Sequence, residues 1–362
     1  MTIYIFKRLL LIIPTLFLIL LTNFVIVQMA PGGPVEQAIE RAKFDTQGLG
    51  HVGELSGEVG KLAQSNQAQY LGARGLSPEI IQQIKTQYGF DQSATERFWM
   101  MIKQYASLNF GTSFFKDKPV IQLIIDKLPV TISLGLWSTL LIYAVSIPLG
   151  IKKAVSHGGR FDQGTALLLV VGNAIPMFIF AILLIVFFSG GSYLHWFPLQ
   201  GLMSENFDQL SFYGKIKDYF WHMMLPLIAM TIGGFAAVTY LVKFSFVEEL
   251  SKPYVLTARA KGLTMSRVLY RHVFQNAILV LIARLPETLL GIVLTGNLLI
   301  EIVFNLDGIG LLGFEAIQQR DYPVIFGILF IYTLVQLLFR LMSDLLYRWI
   351  DPRIDFNQQG LL

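Results

Sequence analysis

The feature that most limits what this chain can fold into is the length of its nearly uncharged stretches. Leu9 to Ala30, Leu128 to Ile151, Gly164 to Phe188, Tyr219 to Val242, Ala277 to Ile300 and Val324 to Leu346 each reach or exceed the about 20 helical residues that cross a hydrocarbon layer of roughly 30 Å. Charged residues gather between these runs. With hydrophobic residues at 54% and charged ones at 14%, a water-soluble fold could not bury so much apolar surface. The sequence therefore predicts an all-α polytopic membrane protein with six transmembrane helices.

Lys7 and Arg8 ahead of the first run raise the question of a cleavable signal peptide. The run is longer than a signal's apolar core, and Gln28-Met29-Ala30-Pro31 lacks small residues at the cleavage spacing. A retained span is expected, bent at Pro14 and ended by Pro31-Gly32-Gly33-Pro34. Lys and Arg cluster at the N-terminus, in the second and fourth loops and at the C-terminal end, whereas the third and fifth loops hold only Lys215, Lys217 and Arg320. The positive-inside rule then places both termini in the cytoplasm.

Four regions follow: an N-terminus and first span over 1–30, a long extracytoplasmic loop over 31–127, a five-helix core over 128–346 that includes a cytoplasmic loop over 243–276, and a cytoplasmic tail over 347–362. Within the long loop, the stretch 47–75 is polar and lacks periodicity. Ser77-Pro78-Glu79 starts a helix whose face is Ile80, Ile81, Ile84 and Tyr88. Ser93 and Glu96 have capping-box spacing, and Phe98, Met101, Ile102 and Tyr105 recur on one helical face. This small subdomain serves either as a cap over the span ends or as a docking surface for a soluble partner.

Several chemistries are excluded or unsupported. Cysteine is absent, which removes disulfides and thiolate chemistry. His51, His157, His195, His222 and His272 never fall three or four apart, so no metal site is expected. No Gly-x-x-x-x-Gly-Lys-Ser/Thr loop occurs, so the chain should bind no ATP. The basic residues flank spans and form no aromatic-interleaved face, which argues against nucleic acid. Ala229, Gly233 and Ala237 in the fourth span, and Gly291 with Thr295 in the fifth, have the spacing of close helix packing.

Two places carry candidate function. Arg284 and Glu287 share a helix face about 10 and 15 Å into the fifth span, either as a neutralising pair at a helix contact or as a polar lining of a path. The second place is Glu248 to Thr264, in the loop between the fourth and fifth spans. Pro253 suits a first helical turn, Tyr254 to Lys261 is helix-compatible, and Gly262 is placed to stop it. By physics alone, such a basic surface helix could simply rest on anionic headgroups.

The run Tyr254-Val-Leu-Thr-Ala-Arg-Ala-Lys-Gly-Leu, followed by Arg271-His272 and Asn276-Ala277, resembles the signature loop of the permease subunits of ABC importers, in the version found in dipeptide and oligopeptide systems. The general signature begins Glu-Ala-Ala, where this chain has Leu256-Thr257-Ala258. Fragments in the same order run along the chain: Lys7-Arg8-Leu9, Leu128-Pro129-Val130-Thr131, Ile147-Pro148-Leu149-Gly150, Ala174-Ile175-Pro176, Glu301-Ile-Val-Phe304, Gly308-Ile-Gly310, Arg320-Asp321-Tyr322-Pro323 and Asp351-Pro352-Arg353-Ile354. Ala30-Pro31-Gly32-Gly33-Pro34-Val35, the polar insert and Asp351 to Phe356 point to one subgroup of the family.

The resemblance implies a type I importer permease fold, half of a translocation pore, and a cytoplasmic coupling helix. Tyr254, Thr257, Ala258, Arg259, Ala260, Lys261, Gly262 and Leu263 would face or support an ATPase groove. It also implies a second, homologous permease subunit, an ATPase carrying ATP and magnesium, and an extracytoplasmic peptide-binding protein. The substrates implied are oligopeptides and peptide-antibiotic conjugates of the microcin C type. Arg284 and Glu287 lie outside the family pattern. The rival class is an ion-coupled secondary transporter using that pair, but the first and last three spans show no internal repeat.

Overall fold

The computed structural model describes residues 2–29, 92–189, 193–284, 288 and 298–350. Its helices, in chain order, are α1 (Thr2–Met29), α2 (Ala94–Ala106), α3 (Val120–Val155), α4 (Arg160–Ala174), α5 (Met177–Phe188), α6 (Phe212–Leu250) and α7 (Pro253–Ala260). A helical run over 265–277 (α8) follows, made of Met265–Val268, a π-helical turn Leu269–Val273 and Phe274–Ala277. Then come α9 (Leu298–Val303), α10 (Ile309–Gln319) and α11 (Tyr322–Ile350). Apart from one isolated bridge between Thr112 and Pro119, the regular structure among the described residues is helical.

Among those residues, α1, α3, α6 and α11 contain stretches long and apolar enough to cross a membrane, and the pair α4 and α5 passes the same test together. The third expected span is not one helix. Its halves meet at 91° across Ile175 and Pro176. Ile175 adopts the extended conformation that a following proline favours, and Pro176 has no N–H to continue the ladder. The fifth expected span, Ala277 to Ile300, lies only partly within the described residues. The polar insert 47–75 and the helix expected after Ser77 lie outside them.

The chain divides into two compact units. The second comprises Leu9–Leu123 and Ala316–Ile331. Here the expected capping box is present: the Ser93 hydroxyl accepts the Glu96 N–H, and the Glu96 carboxylate accepts the Ser93 N–H at 2.9 Å. The expected apolar face of α2 packs inward. Phe98 lies 5.5 Å from Phe17 and 5.3 Å from Phe24 between ring centroids, and Tyr105 meets Phe110 and Phe330 edge-on. Buried Asp321 accepts hydrogen bonds from the Ser113 hydroxyl and the Phe114 N–H, fastening the turn after α2 to the start of α11.

The first unit comprises Met1–Arg8, Ile124–Glu315 and Tyr332–Leu362. Arg8 pairs with Asp344 there at 3.0 Å. One apolar cluster joins Leu134 of α3, Ala181 and Leu184 of α5, Met223 to Ala229 of α6, and Ile300 and Phe304 around α9. A second joins Ile151 and Ala154 of α3, Val242 and Phe246 of α6, Val255 of α7 and Val268 to Leu281. Close helix approach occurs elsewhere than the small-residue spacing suggests. Of Ala229, Gly233 and Ala237, only Ala229 is buried. A Cβ on Gly150 of α3, by contrast, would lie 2.6 Å from the Val242 Cβ and 2.8 Å from the Thr239 carbonyl of α6.

Three sequence fragments that look unrelated form one buried knot in this unit. Glu301 is fully buried; its Oε2 accepts the Leu311 N–H at 2.7 Å, and its Oε1 accepts the Thr131 hydroxyl at 3.3 Å. Thr131 in turn accepts the Ile309 N–H at 2.9 Å. The carboxylate thus caps the N-terminus of α10, where free N–H groups and the helix dipole favour negative charge. Gly308 is needed because a Cβ there would sit 2.4 Å from the carboxyl carbon.

Gly150→Val should force backbone apart at the α3–α6 contact and destabilise the protein by roughly 1–3 kcal/mol. Thermal unfolding of the detergent-solubilised chain checks this, with Gly233→Val, whose Cβ meets nothing within 4 Å, as the mild control.

Candidate functional site

At about 1.5 Å per residue, the 39 residues of α6 exceed the thickness of a bilayer core, so part of the helix projects into water. Its last turn passes through Ser251 and Lys252 directly into α7. Pro253 opens α7 at a position where a missing N–H costs nothing. The end of α7 is a Schellman motif: the Leu263 N–H reaches the Ala258 carbonyl at 3.3 Å, and the Gly262 N–H reaches that of Arg259 at 2.9 Å. Gly262 has φ +82, while a Cβ there would meet nothing within 4 Å. The sequence-derived stop at Gly262 therefore rests on backbone conformation and not on crowding.

The face of α7 that turns inward is held by one apolar and one polar anchor. Val255 is buried in the cluster that also contains Phe246, Val268 and Val273. The Tyr254 hydroxyl donates to Oε2 of Glu249, itself buried at the end of α6, at 2.7 Å. Lys252 pairs with the other oxygen of the same carboxylate, and the Asn276 amide lies 3.5 Å from the Tyr254 hydroxyl. Burial first, and the bond to Glu249 second, push the Tyr254 phenol above its ordinary range, so it stays protonated as a donor. Glu249 likewise holds the Lys252 ammonium above its usual value.

The structure sorts the residues that the sequence groups together. Tyr254 and Leu263 are partly buried, with Ala258 beside them, and serve the scaffold. Thr257, Arg259, Ala260, Lys261 and Gly262 are exposed. Leu256 was absent from the candidates, yet it is the most exposed large apolar side chain of the helix at 68%. The helical period carries part of the signal: one residue after buried Val255, Leu256 is turned by about 100° from it on a 3.6-residue helix. Arg284 is exposed at its described position, where its carbonyl accepts the Thr288 hydroxyl. Glu287 lies outside the described residues, so no pairing of the two is drawn.

A second polar cluster went unread in the sequence. Asp162, in the first turn of α4, is buried with Lys153 of α3 at 3.0 Å and Lys243 of α6 at 2.8 Å. The Lys153 ammonium also donates to the Asp162 carbonyl and to Thr165, each at 2.7 Å. By composition these lysines look like ordinary span-flanking cations.

The described arrangement is thus a short helix held by its inner face, with Leu256, Arg259 and Lys261 exposed. Comparison with known proteins gives the family. Residues 146–356 match the family model for the binding-protein-dependent transport system inner membrane component. The chain is 52% identical to the inner membrane ABC transporter permease protein YejB of Escherichia coli O157:H7, over 98% of this chain and 99% of that one. It is 51% identical to the peptidoglycan transport system permease protein YejB of Agrobacterium fabrum, over 99% of both chains. At 31% it is similar to the oligopeptide transport system permease protein AppB of Bacillus subtilis, over 98% of this chain and 100% of that one. The chain therefore belongs to the binding-protein-dependent transport system inner membrane components, the multi-pass inner-membrane permease subunits of ABC importers.

Proposed function

We propose that this chain forms half of the translocation pore of an ATP-driven peptide importer and receives its power stroke through α7. The observation that carries the reading is the presentation of α7: a short helix fixed from behind by Val255 and the Tyr254–Glu249 bond, with Leu256, Arg259 and Lys261 facing outward. One apolar knob among cations suits a groove with an apolar floor and an acidic rim, as on a partner protein. Anionic headgroups would engage the cations, but they need no backing that fixes the helix so firmly.

ATP and magnesium then belong to the partner ATPase, and a second, homologous permease completes the pore. Nucleotide-driven closure of the ATPase would displace α7 and bias the spans between two packed arrangements. Both termini lie in the cytoplasm, and 31–127 faces the extracytoplasmic binding protein. The relatives named for oligopeptides and peptidoglycan support peptides as cargo, with peptide-antibiotic conjugates of the microcin C type among them. An ion-coupled transporter built on Arg284 and Glu287 would need neither α7 nor an ATPase.

Leu256→Asp should weaken co-purification of the ATPase by roughly 2 kcal/mol or more, the cost of losing an interface anchor, while membrane insertion is unchanged. ATP-dependent peptide uptake into proteoliposomes should fall with it; undiminished uptake would refute the docking role. Gly262→Ala places a side chain at positive φ and should cost about 1 kcal/mol locally, whereas Gly262→Asn should be milder, because asparagine tolerates that conformation. The measurement is peptide delivered per ATP hydrolysed by each variant. A thiol introduced at Thr2 should react with an impermeant maleimide only in inside-out vesicles; labelling from the extracytoplasmic side would reverse the topology.

A further inference from the structure

The cytoplasmic end of α6 carries two buried polar side chains that tie it to different neighbours. Glu249 fastens it to α7, as described. Lys243, six residues earlier or about 9 Å along the axis, fastens it to Asp162 of α4. Phe246 between them and Val242 beside Lys243 are wholly buried, so this stretch of α6 is packed on its inner face.

The composition of the Asp162 cluster is unusual for a purely stabilising contact. Two ammonium groups share one carboxylate: Lys153 is 0% exposed and Lys243 nearly as buried. Desolvating a surplus cation is expensive, and apolar side chains of similar volume would often hold the helices together as well or better. What the surplus cation adds is direction. Lys153 and Asp162 are only nine residues apart, across the short turn joining α3 to α4, and the Gly158 N–H in that turn also reaches the carboxylate at 3.0 Å. Those bonds are local. Lys243 is the long-range member, 81 residues from Asp162, and supplies the hydrogen bond from α6 to the carboxylate, while the Lys153 ammonium meets α6 only through the Tyr240 ring, 5.6 Å from its centroid. From Asp162, α4 runs to the 91° bend at Ile175 and Pro176.

We propose that Lys243 is a positioning residue for transport, which with Asp162 couples α6 to α4 so that displacement of α7 is passed to the bent third span. This rests on the reading of α7 as the ATPase contact. The path is α7, Glu249, α6, Lys243, Asp162, α4 and the bend, each link being a hydrogen bond or a continuous helix. Neither Lys243 nor Asp162 faces the ATPase or the cargo in this scheme; they act through the helices they join.

The absence of cysteine from the chain makes the test direct. A bimane is attached at Leu168→Cys, on a side chain of α4 that is 72% exposed, and in a separate sample at Thr264→Cys, an exposed position just past the end of α7 and outside its outward face. The complete importer is compared without nucleotide and with ATP and vanadate. In the otherwise native chain both positions should report a nucleotide-dependent emission shift. Lys243→Met leaves the Lys153–Asp162 pair electrically balanced, so it should assemble. It should cut the response at Leu168→Cys by about 3- to 30-fold while leaving the response at Thr264→Cys intact. Lys243→Arg, which keeps charge and donors, should restore it; Lys243→Gln replaces the Met variant if that fails to assemble. An unchanged response at Leu168→Cys in the Met or Gln variant overturns the proposal, as does the absence of any response there in the native background. Absence of a response at Thr264→Cys would instead overturn the reading of α7 as the ATPase contact.

Discussion

Hydrocarbon offers no hydrogen bonds, and most of what this chain does follows from that constraint. Every backbone N–H and C=O inside the bilayer must be satisfied within its own helix, which is why the long apolar runs can take only one regular form. The same constraint makes interruptions consequential. At Ile175 and Pro176 the ladder stops within what composition marks as a single span, and the two halves turn through 91°. A proline can do this because it removes a donor and forces its neighbour into extended conformation, two effects at one residue boundary.

Three buried carboxylates follow the same rule, each met by groups drawn around it. Glu301 meets the N–H of Leu311 and the hydroxyl of Thr131, and its carboxyl group fills the space where Gly308 would carry a side chain. Asp162 meets two lysines and a backbone N–H. Asp321 meets a hydroxyl and a backbone N–H. In each case a carboxylate gathers groups distant in sequence and fixes a turn or a helix start. Such a group is costly to leave unpaired, so it specifies one arrangement even where it adds little net stability.

The α7 region shows how a surface element is held in place without much core of its own. An eight-residue helix is too short to be stable alone in water. Here α7 inherits its position from α6, which it follows almost without a loop, and from Val255 and Tyr254 on its inner side. Its outer side is then free to present Leu256 and the cations as a fixed pattern.

Much of this was legible beforehand. Apolar run length marked the first, second, fourth and sixth spans; the Ser93–Glu96 spacing marked the start of α2; Pro253 and Gly262 bounded α7 to within a residue or two. These signals are local: they depend on hydrophobic length, cap chemistry and backbone conformation within a few residues. Tertiary structure alone decided the rest. It broke the third span at Pro176 while leaving Pro148 of α3 and Pro226 of α6 inside continuous helices, put the close α3–α6 approach at Gly150 instead of along Ala229, Gly233 and Ala237, and turned Tyr254 inward and Leu256 outward. It also joined Thr131, Glu301 and Gly308, and Lys153, Asp162 and Lys243. A charged residue near a span end reads the same in sequence whether it faces water or a buried partner, because only the packing of distant helices determines which groups share a site from which water is excluded.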